Sequence, residues 1–198
     1  MAPGLRVGKE FHMQAATSIR RYCRFFRHKG ATKVLDYGAG KLRNALFLAD
    51  EGFTVIAADL PQQVRKIRDC PAIRHLAGVM ATDRLPDSEL NVDLVLSTYV
   101  FNIIMENNEQ ERYLNNIRQN LRPGGYLLIE VRCRKQSGAC GEGCSEFFKC
   151  PDCAKTYSHE ELDQLLVPYG FRRVSHYYCH QAVAAIYQLN PNQAEVAG

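Results

Sequence analysis

Between residues 33 and 131, five short apolar runs alternate with segments of helical periodicity, and this alternation constrains the fold more than any other feature of the chain. Continuous apolar strands joined through helices imply a parallel sheet buried on both faces, because each crossover lays a helix across one face. The expected strands are residues 33–36, 53–58, 78–81, 92–97 and 126–131. Helices are expected over 42–52, 62–69 and 109–121, and Arg122-Pro123-Gly124-Gly125 reads as a turn before the fifth strand.

Two flanking regions complete the pattern. Residues 11–28 read as a helix, with Phe11, Ala15, Ile19, Tyr22, Cys23 and Phe26 at spacings of three and four and Arg20, Arg21, Arg24 and Arg27 largely elsewhere on the wheel. Residues 132–157 lack periodicity and are rich in Cys, Gly and Lys. Order resumes with a helix over 158–169, opened by a Ser158/Glu161 capping box. Strands over 171–178 and 182–189 follow, readable as a hairpin. The expected fold is therefore α/β: a Rossmann-like, doubly wound, mostly parallel sheet with helices on both faces, a C-terminal antiparallel hairpin and a Cys-rich insertion after the fifth strand. At 198 residues the chain suits one domain over 1–198, with a basic helix in 1–30.

The segment Asp36-Tyr37-Gly38-Ala39-Gly40 places an acid and two glycines where the first strand turns into a helix. Open α/β sheets bind ligands at the carboxyl ends of their strands. A dinucleotide fingerprint needs G-x-G-x-x-G and a pyrophosphate on the helix N-terminus. Here the sixth position is Arg43, and Asp36 would oppose a pyrophosphate. A phosphate loop of the G-x-x-x-x-G-K-[ST] type is absent from the sequence. Asp36 instead suits a ligand carrying an ammonium and a sulfonium, as S-adenosylmethionine (SAM) does. Asp59 ends the second strand 21 residues after Gly38 and suits a ribose diol.

The run 35–49, followed by Glu51-Gly52-Phe53 and 55–59, resembles the first two motifs of class I SAM-dependent methyltransferases. Asp93-Leu94-Val95-Leu96-Ser97 and Leu121-Arg122-Pro123-Gly124-Gly125-Tyr126 are similar to that superfamily's fourth-strand motif and the turn before its fifth strand. The Arg43-Asn44 pair is similar to the tellurite-resistance-type and small-thiol branch. The resemblance implies that Asp36, Gly38 and Gly40 line the methionine end of SAM. It places Asp59 on the ribose, Leu60 beside the adenine, and Thr82 and Asp83 where the third strand offers an adenine contact. Ser97 falls at the methyl end. Leu42 stands where a third glycine is common, and Ala81 occupies the usual acidic position.

On the acceptor side, Tyr99 and Asn102 are the candidates to orient a substrate; packing as the start of a helix is an equal reading for Tyr99, Val100 and Phe101. The segment 97–102 is not the Asn/Asp-Pro-Pro-Tyr/Phe type of base-amino methyltransferases. Methyl transfer can proceed by positioning alone, so no protein base is required.

Cys140, Cys144, Cys150 and Cys153 have a zinc-knuckle-like spacing within 132–157 and suit a closed tetrahedral zinc site. Redox thiols and a soft metalloid-binding site are the alternatives. Residues 1–33 carry eight Lys/Arg against one Glu, a net of +7, while the remainder carries 17 against 20, a net of −3. A basic arm of this kind binds nucleic acid or simply forms a solvated helix face. No run approaches the roughly 20 apolar residues of a membrane span, and no secretory leader is evident, so a cytoplasmic setting is expected. The leading functional expectation is methyl transfer from SAM to a small molecule. The alternatives are a methyltransferase acting on nucleic acid or protein, and a non-catalytic SAM- or zinc-binding module.

Overall fold

A computed structural model describes residues 14–133, 155–179 and 181–191. Seven strands form one sheet: β1 (Lys33–Tyr37), β2 (Thr54–Asp59), β3 (Gly78–Ala81), β4 (Val92–Thr98), β5 (Leu121–Arg132), β6 (Phe171–Cys179) and β7 (Ala182–Leu189). Their spatial order is β3-β2-β1-β4-β5-β7-β6. Strands β1 to β5 pair in parallel, whereas β7 runs antiparallel to both β5 and β6. The expected parallel sheet and terminal hairpin are both present. What the sequence does not convey is that β7 inserts between β5 and β6.

The order reverses between β1 and β4, which pair through Val34↔Leu94, Leu35↔Val95 and Asp36↔Leu96. A crevice opens at such a reversal, beyond the carboxyl ends of the two strands. Helices cover both faces. The helix α1 (Thr17–His28) and α2 (Arg43–Asp50) bury Ile19, Tyr22, Cys23, Phe26, Ala45 and Leu48 against one face. On the other, α4 (Asn107–Asn120) and α5 (His159–Leu166) bury Tyr113, Leu114, Ile117, Leu162 and Leu166. Between β2 and β3 lies α3 (Pro61–Ile67), with Pro61 in its first turn, where a missing N–H costs nothing. Of the apolar face expected over 11–28, Ile19, Tyr22, Cys23 and Phe26 are buried on α1, which starts only at Thr17; Ala15 is buried just before it and Phe11 lies outside the described residues, while the four arginines are exposed.

Of the boundaries that differ from expectation, three have a clear physical reason. Residues 122–125 are not a turn outside the sheet but a bulge within β5: Val92 pairs with Leu121 and Leu94 with Tyr126, leaving four residues opposite Asp93 alone. Asp93 holds the bulge by accepting from Arg122. It also accepts from the Thr32 and Lys33 N–H groups at 2.8 Å each. The helix expected over 42–52 starts one residue later, because Leu42 takes a left-handed backbone, φ 64°. The helix expected over 158–169 ends at Leu166 and tightens into a 3-10 turn around Pro168, which has no N–H to continue the ladder. Among the described residues no helix is long and apolar enough to cross a membrane.

Candidate active site

The crevice between β1 and β4 begins with Asp36, whose side chain is 1% exposed on the face packed by α1 and α2. Neither carboxylate oxygen has a hydrogen-bond partner. Burial pushes this carboxyl up to about 7. The Ala45 N–H opposes the shift without completing a hydrogen bond, and the Asp59 carboxylate reinforces it. A buried, unpaired acid destabilises its surroundings until a cation or donor arrives. Among the described residues, the only other buried side-chain oxygen without a partner is Asn102 Oδ1.

The loop after β1 is stitched to the end of β2. The Gly38 and Ala39 N–H groups both donate to the Ala58 carbonyl, at 2.7 and 3.1 Å. Asp59 accepts from the Gly40 N–H at 2.6 Å and from the Leu60 N–H at 2.7 Å. Asp59 therefore braces the glycine loop, a role its position in the sequence did not reveal. Each carboxylate oxygen retains acceptor capacity for a further donor. Gly38 has φ +92°, and a Cβ there would lie 2.2 Å from Val100 Cγ2. The glycine is thus what lets the segment after β4 close onto the loop after β1. Leu42 occupies the position of a third glycine, keeps a glycine-like φ and buries its side chain at 1% exposure. The cost of that backbone, about 1–2 kcal/mol, is offset by core packing.

Leu60 follows Asp59 and is 54% exposed. Thr82 and Asp83 start a 3-10 turn directly after β3, whose Ala81 is in register with Asp59. Ser97 is fully buried on β4, where its Oγ accepts from the Tyr113 hydroxyl at 2.9 Å. The Tyr113 ring stacks on Tyr37 at 4.1 Å, so this tyrosine fastens α4 to the floor of the crevice.

Past β4, Tyr99 has φ +57° and leaves its ring half exposed. Its N–H donates to the Glu130 carbonyl at 2.8 Å and its hydroxyl to Glu130 Oε1 at 2.9 Å. Burial, followed by the adjoining Glu130 carboxylate, raises the phenol well above its ordinary range. Asn102 is buried in a 3-10 turn, and its carbonyl accepts from the Lys155 N–H at 2.9 Å. Tyr99 thus has its hydroxyl paired with Glu130, whereas Asn102 is buried in the short turn that follows.

Sequence reasoning missed Glu130. It is buried on β5 and accepts from Ser18 Oγ of α1 as well as from Tyr99. An acid inside the apolar run 126–131 was the available signal. Asn44 was singled out only for its resemblance, yet it joins two sides of the crevice: its Oδ1 accepts from the Ala16 N–H at 3.0 Å and its Nδ2 donates to Thr98 Oγ1 at 2.9 Å.

Cys140, Cys144, Cys150 and Cys153 lie outside the described residues. Among the described residues, no group of three or more His, Cys, Asp or Glu is arranged to hold a metal. The described chain on either side of the insertion is anchored near the crevice. Cys133 N–H donates to the Gln181 carbonyl at 2.8 Å, and Lys155 Nζ to the Met105 carbonyl at 2.7 Å. The His159 ring of α5 and the His176 ring of β6 stack with centroids 3.8 Å apart.

A family model described as a methyltransferase domain matches residues 11–176, and the chain belongs to that family. Its architecture is that of SAM-dependent methyltransferases of known structure. Burkholderia thailandensis 1,6-didemethyltoxoflavin-N1-methyltransferase, with bound S-adenosylhomocysteine, is 19% identical with a TM-score of 0.63, over 88% of this chain and 79% of that one. Human N-acetylserotonin methyltransferase in complex with SAM is 15% identical with a TM-score of 0.69, over 88% and 52%. A SAM-dependent methyltransferase from Clostridium acetobutylicum is 10% identical with a TM-score of 0.66, over 87% and 90%. A curated relative from Eikenella corrodens, named Hemagglutinin 1, is 30% identical over 133 residues, or 66% of this chain. The chain spans less than half of that relative's length, 44%.

Proposed function

We propose that the chain is a single-domain enzyme that transfers a methyl group from SAM to a small-molecule acceptor. The observation that carries this reading is Asp36: a buried carboxylate without a partner, at the strand reversal, beside two glycines. The ammonium of the SAM methionine moiety supplies the missing charge and donors, and charge-assisted hydrogen bonds of this kind are the strong ones. Gly38 and Gly40 line the same end, Asp59 takes the ribose hydroxyls, and exposed Leu60 packs on the adenine with Thr82 and Asp83 beyond it. Ser97 and Tyr99 lie toward the methyl group, with Asn102 behind them. When bound, SAM supplies an electrophilic methyl; Asp36, the two glycines, Asp59, Leu60, Thr82, Asp83 and Ser97 would hold it, and Tyr99 and Asn102 would orient the acceptor.

The small-molecule acceptor is supported by structural neighbours that act on compounds such as 1,6-didemethyltoxoflavin and N-acetylserotonin. Within the methyltransferase class, Arg43-Asn44 is the feature that favours the tellurite-resistance-type branch. A nucleic-acid acceptor rests on the exposed arginines of α1, but Arg27 is paired with Glu51 and Arg21 lies over the Tyr177 ring. For the four cysteines, structural zinc is the proposal, and it rests on their spacing alone. A cytoplasmic setting fits both sites. Calorimetry with S-adenosylhomocysteine and metal analysis of the purified full chain test the two sites separately. Absence of binding in the first experiment would remove the enzymatic reading, and a metal-free, folded protein would remove the zinc.

A further inference from the structure

Glu130 is a buried acid outside the set of residues proposed above to hold SAM. Its Cα is in register with Thr98 of β4 on one side and Ala184 of β7 on the other, near the carboxyl end of β5. It therefore lies beside the crevice on the sheet face covered by α1. One carboxylate oxygen accepts from Ser18 and the other from Tyr99. The Ser18 contact has a structural explanation. The N-cap of α1 is Ala16, which has no capping side chain, and the helix has no acid in its first turn. An anion near its N-terminus compensates for both.

Helix capping does not explain Tyr99. This residue holds a left-handed backbone that favours glycine, and both its N–H and its hydroxyl end on Glu130. Its neighbour Val100 packs on Gly38. The preceding Thr98 is held by Asn44 of α2. The phenol is thus fixed at the methyl end of the crevice with its proton directed at a carboxylate and its ring half exposed. Strain of this kind collects at functional sites.

We propose that Tyr99 and Glu130 form a proton-accepting pair and that the acceptor is a hydroxyl-bearing molecule, most naturally a phenol; this rests on the methyl-transfer reading above. The acceptor oxygen bonds to the methyl carbon as the carbon–sulfur bond breaks, and the sulfur of the methyl donor keeps the electron pair as a thioether. The acceptor O–H proton passes to the Tyr99 oxygen while the Tyr99 proton passes to Glu130 Oε1, leaving a neutral acid. An ether oxygen that still carries its proton is strongly acidic, so a carboxylate is a sufficient sink. A hydroxyl needs this help more than other nucleophiles. A phenol with a pKa of about 10 is almost wholly protonated at neutral pH, whereas a thiol near 8.5 ionises far more readily. A neutral amine attacks through its lone pair and needs no prior deprotonation.

The test uses the full chain with tritiated-methyl SAM and three probes: catechol, aniline and thiophenol. Label is expected on catechol. Glu130→Gln and Tyr99→Phe should each slow its transfer about 100-fold at pH 7. The Glu130→Gln rate should recover as pH approaches the phenol's own ionisation, while wild type stays flatter. S-adenosylhomocysteine affinity, read by calorimetry, should stay within about twofold in both variants, on the premise that neither side chain holds the co-substrate. A readout independent of turnover is the tyrosinate absorbance. Relative to Tyr99→Phe, wild type should lack one phenol titration that Glu130→Gln brings down in pH. Wild-type catechol turnover and pH profile in Glu130→Gln would overturn the proposal, as would label on aniline or thiophenol alone. No label on any probe by a protein that binds S-adenosylhomocysteine would overturn it while leaving the SAM site standing. Failure to bind S-adenosylhomocysteine would remove both. Should Glu130→Gln not fold, Tyr99→Phe decides the outcome through its rate and affinity.

Discussion

Two buried acids face the same side of the sheet, and they are held in opposite ways. Asp36 on β1 has no hydrogen-bond partner, whereas Glu130 on β5 accepts from two hydroxyls on two different elements. A site prepared for an external cation leaves its anion unsatisfied and accepts the instability. An acid that organises its own neighbourhood has a donor from the protein on each oxygen. The contrast separates a place where a ligand completes the protein from one where the protein completes itself.

Four measurements can break or sharpen that contrast. The largest effect should be on ligand affinity: Asp36→Ala is expected to weaken S-adenosylhomocysteine binding about 100- to 1000-fold, the scale for losing one partner of a buried charge pair. The same variant should be no less stable than wild type to urea, since it removes an uncompensated acid. Glu130→Ala should reverse the pattern. It is expected to lose about 2–3 kcal/mol of unfolding free energy by stranding Ser18 and freeing Tyr99, with affinity little changed. Equal losses of affinity in the two variants would erase the distinction.

The third measurement is pH dependence. The folded-state carboxyl of Asp36 lies at about 7, above its ordinary value of 3.8, so the folded form binds the proton more tightly. Its favourable contribution is complete below the ordinary value and is lost as pH rises through 7. Urea melts of the ligand-free protein should therefore show about 4 kcal/mol of stability lost between pH 4 and pH 8, a slope that Asp36→Asn flattens. Binding of S-adenosylhomocysteine at pH 6 should release protons, detectable as a buffer-dependent heat. The smallest effect belongs to Tyr113→Phe, which removes the hydroxyl bonded to Ser97. A loss of about 1 kcal/mol in thermal or urea melts is expected, and a larger loss of affinity than of stability would mean that Ser97 reaches the ligand.

The half of the sheet around Asp36 was legible in the sequence because its signals are local. The apolar runs, the glycines after β1 and the acids at the ends of β1 and β2 lie within a few residues of the elements they define. Its misreadings are also local: Leu42 keeps a backbone that its side chain does not announce, and Asp59 was read for its ligand but not for its grip on Gly40. The other half depends on partners distant in the chain. Glu130 is explained only by Ser18, 112 residues earlier, and by Tyr99, 31 residues earlier. The Arg122–Gly125 segment has the composition of a turn, and only its partnership with Asp93 shows it to be a bulge in a continuing strand. Asn44 was noticed for its resemblance, while its bridge from Ala16 to Thr98 needed coordinates.

The insertion of β7 between β5 and β6 bears on how the chain comes together during synthesis. In order of translation β7 is the seventh strand, yet in space it is an interior one, with hydrogen-bonding neighbours on both sides. Until residues 182–189 emerge from the ribosome, β5 has an open edge and β6 has no strand to join. An open edge of this kind invites pairing with another chain. The parallel core around the crevice between β1 and β4 can assemble early, but the nascent protein stays vulnerable to aggregation until this late strand is in place.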